Sequence, residues 1–263
     1  MKKLLNIAIP AFAIMIGMAS CDKVDTTPTT PTNPTPTTPS APAPVTPAVG
    51  NNFWGVMVAL KMEFSYNMPQ LPVPVSVDYE MGVANFYNGA GSGTIVDAGT
   101  VSVNSNDLAK QTNGSYYLNA TAGMTPSTLN LDNGVQWQVA GGNDIPAINY
   151  NHTGSFPGFS GTVPSEIKKS QDLVIDLGSK VSGADSVYVV IVTSAQTIIK
   201  AYDGNPAPAQ VTIAASELGT LPTITDNSAY LEIVPFTYAT PTFGGKQFVA
   251  IKETAVLSAV NIN

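Results

Sequence analysis

From Phe53 to the last residue, β-branched and aromatic side chains alternate with polar ones in period two, and Gly, Pro, Asn and Asp interrupt them every few residues. That punctuation permits short strands and little else. It predicts strands over Phe53–Phe64, Val75–Tyr87, Thr94–Asn104, Ser115–Asn119, Val135–Ala140 and Ile145–Asn151. It continues with Leu173–Leu177, Ser186–Thr193, Thr197–Tyr202, Gln210–Ile213, Ala229–Tyr238 and Gln247–Ile262. The one helical candidate is Ala214–Leu218, and tight turns are signalled at Asn113-Gly114, Asn133-Gly134 and Asp203-Gly204. Val187–Val192 is the most apolar run and predicts a central strand buried on both faces. Strands without α/β alternation indicate an all-β sandwich or barrel, read here as an antiparallel β-sandwich.

Residues 50–263 are long enough for a substantial core. A polar interruption at Ser165, Glu166, Lys168 and Lys169 follows the Gly/Pro-rich loop Gly154–Gly161. It divides the body into expected units 50–165 and 166–263, each Ig-like or jelly-roll-like, with an interface broad enough for the two to act as one domain. Trp54 and Trp137 both fall in the first unit and alternate with apolar neighbours, which predicts core positions.

The first 49 residues have a different character. Lys2 and Lys3 precede an apolar stretch from Leu4 to Met18, too short to span a bilayer and shaped like a secretory signal. The junction Met18-Ala19-Ser20-Cys21 resembles the lipobox of bacterial lipoproteins, with Met18 where leucine is usual. The resemblance implies cleavage after residue 20 and lipidation of Cys21, so that acyl chains anchor the chain in a membrane. Thr26–Val49 holds eight prolines, nine threonines, no charge and no aromatic, so it cannot build a core. As polyproline II, at about 3.1 Å per residue, it forms a tether of up to roughly 70 Å. Residues 21–49 are thus read as lipidated cysteine and tether.

Charge and composition exclude several function classes. The chain has 11 lysines, no arginine and 18 acids, a net charge of −7, which argues against nucleic acid as a partner. A single cysteine excludes an intrachain disulfide, and one cysteine with one histidine excludes a Cys/His zinc site. His152 is the only imidazole, no Gly-x-Ser-x-Gly elbow occurs, and no Asp-x-Asp-x-Asp-Gly calcium loop is present. No metal or cofactor is expected. A pair of carboxylates on facing strands would suffice for glycoside hydrolysis, and this is the alternative enzymatic reading. A non-catalytic binding or structural module is the leading one. Tyr116, Tyr117, Phe156, Phe159 and Tyr202 are the candidate ligand contacts, because aromatic rings stack on sugar faces or offer apolar patches. Within a strand, Tyr116 and Tyr117 point to opposite faces, so at least one faces outward.

The signal, the Thr/Pro tether and a body without arginine or cysteine go together with blocks such as Asp97–Val103 and Trp137–Gly142. Combined, they resemble the anchored β-sandwich lipoproteins of the Bacteroidota, with no named functional family attached. The resemblance implies an outer-membrane lipoprotein exposed at the cell surface. Asp22, Lys23 and Asp25 are similar to the acidic surface-export signal of that group, and Asp22 is equally similar to an inner-membrane retention signal of enteric bacteria. A periplasmic scaffold or folding factor is therefore the second localisation reading. Asp25-Thr26-Thr27 and Asp185-Ser186-Val187 resemble the O-glycosylation acceptor of the same group, with Thr26 favoured over Ser186 because it lies in the tether. Partners implied are the membrane through the anchor and a glycan or surface protein.

Overall fold

A computed structural model describes residues 53–66, 75–91, 93–118 and 129–263. Cys21, Thr26 and the tether lie outside the described residues. The strands in chain order begin with β1 (Gly55–Tyr66), β2 (Val75–Phe86), β3 (Val101–Val103), β4 (Asn106–Asp107), β5 (Ala109–Lys110) and β6 (Tyr116–Tyr117). Next come β7 (Val135–Val139), β8 (Ile148–His152), β9 (Gly158–Phe159), β10 (Glu166–Ile167), β11 (Leu173–Asp176) and β12 (Val181–Ser182). The remainder are β13 (Ser186–Val192), β14 (Thr197–Asp203), β15 (Gln210–Ile213), β16 (Ile224–Ala239), β17 (Thr242–Phe243), β18 (Lys246–Gln247) and β19 (Val249–Ile262). The single α-helix, α1, is Ala215–Leu218.

One nine-stranded sheet organises the body, in the order β14-β13-β16-β19-β1-β2-β6-β5, with β10 also beside β19. Its pairs are antiparallel except β1 with β19 and β10 with β19. A four-stranded sheet, β4-β3-β7-β8, and a two-stranded sheet, β11-β15, form second layers. The fold is all-β and sandwich-like.

Two apolar clusters fill the space between layers. In the first, Met57, Ala59, Ala84 and Phe86 of the large sheet meet Val101, Val103, Val135, Trp137 and Val139 of the four-stranded sheet. In the second, Val187, Val189, Ile191, Leu231 and Ile233 meet Ile175, Val211, Ile213 and Leu218. Strand register puts Ala59 opposite Lys252 and Ile233 opposite Val256, so both clusters lie on the same face of the large sheet. β19 runs under both: Ala250 belongs to the first cluster, Val260 and Ile262 to the second. Between them, Lys252 and Thr254 point at the connecting loop.

β13 is buried on both faces along Val187–Ile191, as its composition predicts. The expected strand over Thr94–Asn104 is reduced to Val101–Val103. Asp97 explains the difference, since its carboxylate accepts from the Gly99 amide and its carbonyl from the Asn143 side chain, which folds the chain into a turn. Gly99 has φ +77°, a conformation that ends strand geometry. Trp137 is fully buried, whereas Trp54 only packs against the rim of the first cluster, with the Lys246 ammonium 3.7 Å above its ring.

Candidate binding site

The outer surface of the four-stranded sheet is built from amides. Val135, Trp137 and Val139 turn inward, so the alternate residues Gln136 and Gln138 must face out. On β8 the register sets Asn151 opposite Gln136 and Asn149 opposite Gln138, and all four are exposed. Next to this ladder a polar cleft of about 420 Å³ is lined by Ser105, Asn130, Asn133, Gln136 and Asn151 around Asn104.

Asn104 is the frame of that cleft. Its Nδ2 donates to the carbonyls of Gly134 at 2.8 Å, Leu129 at 3.0 Å and Asn130 at 3.3 Å. Its Oδ1 accepts from the Gln136 amide at 2.8 Å. Asn104, Ser105 and Asn130 adopt left-handed backbone conformations, with φ of 47°, 65° and 54°. Asn and Ser make local side-chain bonds that support such turns. The walls are therefore pre-shaped, and no charged side chain lines them.

A second cleft, of about 510 Å³, lies where β13 begins and β14 ends, lined by Ser186, Ala201, Tyr202, Asp203, Pro206 and Pro208. Ser186 is paired in register with both Asp203 and Phe236, so its backbone is held from two sides. This cleft brings together two residues singled out from sequence, Tyr202 and Ser186.

The aromatic candidates have structural surroundings, and Tyr202 itself packs against the second cluster. Tyr116 is 1 % exposed; its hydroxyl donates to Asp97 Oδ1 at 2.7 Å and accepts from the Ala98 amide at 2.9 Å. Burial, followed by the Asp97 bond, pushes the phenol up to about 12. Tyr116 is thus a core residue and not a surface contact, and its neighbour Tyr117 is the partly exposed member of the pair. The Lys110 side chain leads the bonds that hold the Asp97 carboxyl down at about 2. Phe156 packs against the first cluster and Phe159 against the second, so the loop carrying them joins the two cores. Lys252 clasps that loop: its Nζ donates to Thr153 O at 2.6 Å and Gly154 O at 2.7 Å, while Thr254 Oγ1 donates to Pro157 O at 2.6 Å. His152, beside this clasp, is buried; desolvation, with Lys252 second, lowers its imidazole to about 4.

Sequence reasoning passed over the amide cleft. The signal for it was the spacing Gln136-x-Gln138 and Asn149-x-Asn151 flanked by Asn-rich turns, a period-two pattern of neutral amides on two strands. Among the described residues, no three His, Asp or Glu side chains cluster as a metal site would require, and no helix is long and apolar enough to cross a membrane. No family model, curated protein or solved structure matches the chain.

Proposed function

We propose that the protein is a lipid-anchored surface lipoprotein acting as a non-catalytic binding module, and that the amide cleft takes a neutral glycan. The cleft itself carries the reading: it is rigid, uncharged and lined with groups that both donate and accept hydrogen bonds. Those are the requirements for a ligand rich in hydroxyls and poor in charge. Neither cleft is lined by a pair of carboxylates, which supports binding over glycoside hydrolysis. In the anchored reading, Cys21 holds the chain to the outer membrane and residues 26–49 lift the body clear of it.

A glycan array probed with the full-length protein in detergent tests the ligand. Retained neutral oligosaccharides, lost in the double variant Gln136→Ala/Asn151→Ala, are the expected outcome; an array without any binding overturns it. Fatty-acid labelling of wild type but not of Cys21→Ser tests the anchor. Proteinase K added to intact cells tests exposure. A body that is protected until lysis moves the protein to the periplasm, where a scaffold or folding role replaces glycan capture.

A further inference from the structure

Strand edges expose unpaired amides and carbonyls, and proteins shorten, bulge, charge or cover them to prevent pairing with other chains. In the large sheet one edge follows this rule: β5 is only two residues long. The opposite edge does not. β14 pairs with β13 along all seven residues without a register shift, and among the described residues no strand lies on its far side. It contains no proline. Its one cation, Lys200, is neutralised by Glu217 at 2.7 Å. Ile199 is 36 % exposed on it.

The second cleft opens at the C-terminal end of this edge. There Tyr202 turns inward against the second cluster, while the Asp203 carboxylate is exposed on the opposite face, with no cation or hydrogen-bond donor on it among the described residues. Asp185 stands beside it, its backbone carbonyl accepting from Gly204. The chain as a whole carries a net charge of −7. We infer that the β14 edge accepts an extended strand of a partner protein, and that a basic side chain of that strand pairs with the exposed Asp203 carboxylate. The main-chain ladder provides attachment and the cleft provides selection, the division of labour in strand addition. A cation gains there from the carboxylate. The site is separate from the amide cleft and does not depend on glycan binding.

The probe is a short peptide of alternating threonine and valine with one central lysine, titrated into the full-length protein by fluorescence polarisation. Hydrogen exchange over 197–203 is followed in parallel. The expected result is saturable binding that slows exchange across β14. Replacing the central lysine with glutamate should weaken binding roughly tenfold, the scale of turning one partly exposed charge pair from attraction to repulsion. Asp203→Lys should reverse that preference, and N-methylation of alternate peptide amides should abolish binding. The inference is overturned if the lysine peptide fails to bind, if the N-methylated peptide binds as well, or if the lysine and glutamate peptides bind equally. It is overturned in a different way if sedimentation shows a dimer that Ile199→Lys dissolves, because the occupant is then a second copy of this chain. Gln136→Ala/Asn151→Ala should leave peptide binding unchanged.

Discussion

Lys252 and Glu253 are consecutive residues of one strand, each 1 % exposed, yet they live in opposite chemical worlds. Lys252 projects toward the second layers. There the ammonium satisfies two loop carbonyls and lies 5.9 Å from the centre of the Phe156 ring. Polar neighbours on that face are matched too: Thr237 donates to Asp185, and Thr254 to Pro157. Glu253 projects from the other face, among Leu60, Phe236 and Ile251, none of which belongs to either apolar cluster. There Glu232 Oε1, Glu253 Oε2, the Tyr230 hydroxyl and Asn85 Oδ1 are all buried without a hydrogen-bond partner among the described residues. Burial holds Glu232 up at about 8 and Glu253 well above the ordinary carboxyl range, the latter helped by Glu232. The comparison teaches that a buried charge survives where loop carbonyls reach it, and that a carboxyl without partners stays protonated.

The two faces should therefore respond to pH with opposite signs. The largest effect belongs to the carboxyl face. Glu232 binds its proton more tightly folded than unfolded, so its stabilisation is full below the unfolded value and is lost as pH rises through about 8. Across that window the loss from Glu232 is about 5 kcal/mol, Glu253 adds a loss of the same sign, and Glu232→Gln/Glu253→Gln should remove most of the decline. Urea midpoints measured from pH 4 to pH 9 check this. A double variant that keeps the wild-type alkaline decline would show that the carboxyl pair is not its source.

Breaking the clasp comes next. Lys252→Ala leaves the Thr153 and Gly154 carbonyls unsatisfied and should cost about 3 kcal/mol. Increased protease sensitivity in the loop 154–161 should accompany the lower urea midpoint. An unchanged midpoint would mean that the loop holds without the lysine.

Of similar size is the acid limb. His152 is lowered to about 4, so the unfolded chain binds the proton first as pH falls from about 6.5. Stability present above 6.5 is then lost down to about pH 4, amounting to about 3 kcal/mol. His152→Gln should flatten that limb while leaving the alkaline one intact. NMR titration of the single imidazole gives its folded value directly.

The smallest effect on stability sharpens the contrast between buried and exposed polar groups. Gln136→Ala/Asn151→Ala should change the urea midpoint by no more than about 0.5 kcal/mol, because both side chains are exposed. Asn104→Ala should cost about 2 kcal/mol, since it frees three carbonyls and one amide. If both variants destabilise equally, the cleft lining is structural and not free for a ligand.

Much of the fold was legible in particular runs. Gln210–Ile213 forms a strand with the bounds its alternation predicts, and the helical turn begins within one residue of expectation. The strand over Thr94–Asn104 misled because Asp97 bonds its own loop, a local competition that period two does not register. The candidate site was less legible. Which of Tyr116 and Tyr117 faces inward depends on β6 pairing with β2 and β5. The amides of the cleft come from three separated stretches, residues 104, 130–136 and 151, which only sheet pairing gathers.

By itself the sequence determined that the body is all-β, because period-two burial and frequent turn residues leave a helix no continuous apolar stripe. Tertiary structure alone decided which neighbour each alternating residue meets. β1 lies parallel to β19 although nearly the whole body separates them in sequence, and that pairing places Lys61 beside Thr254 and Leu60 beside Glu253. Alternation assigns side chains to two faces; only the surroundings the fold gives each face make one a home for a charged lysine and the other a place where carboxyls keep their protons.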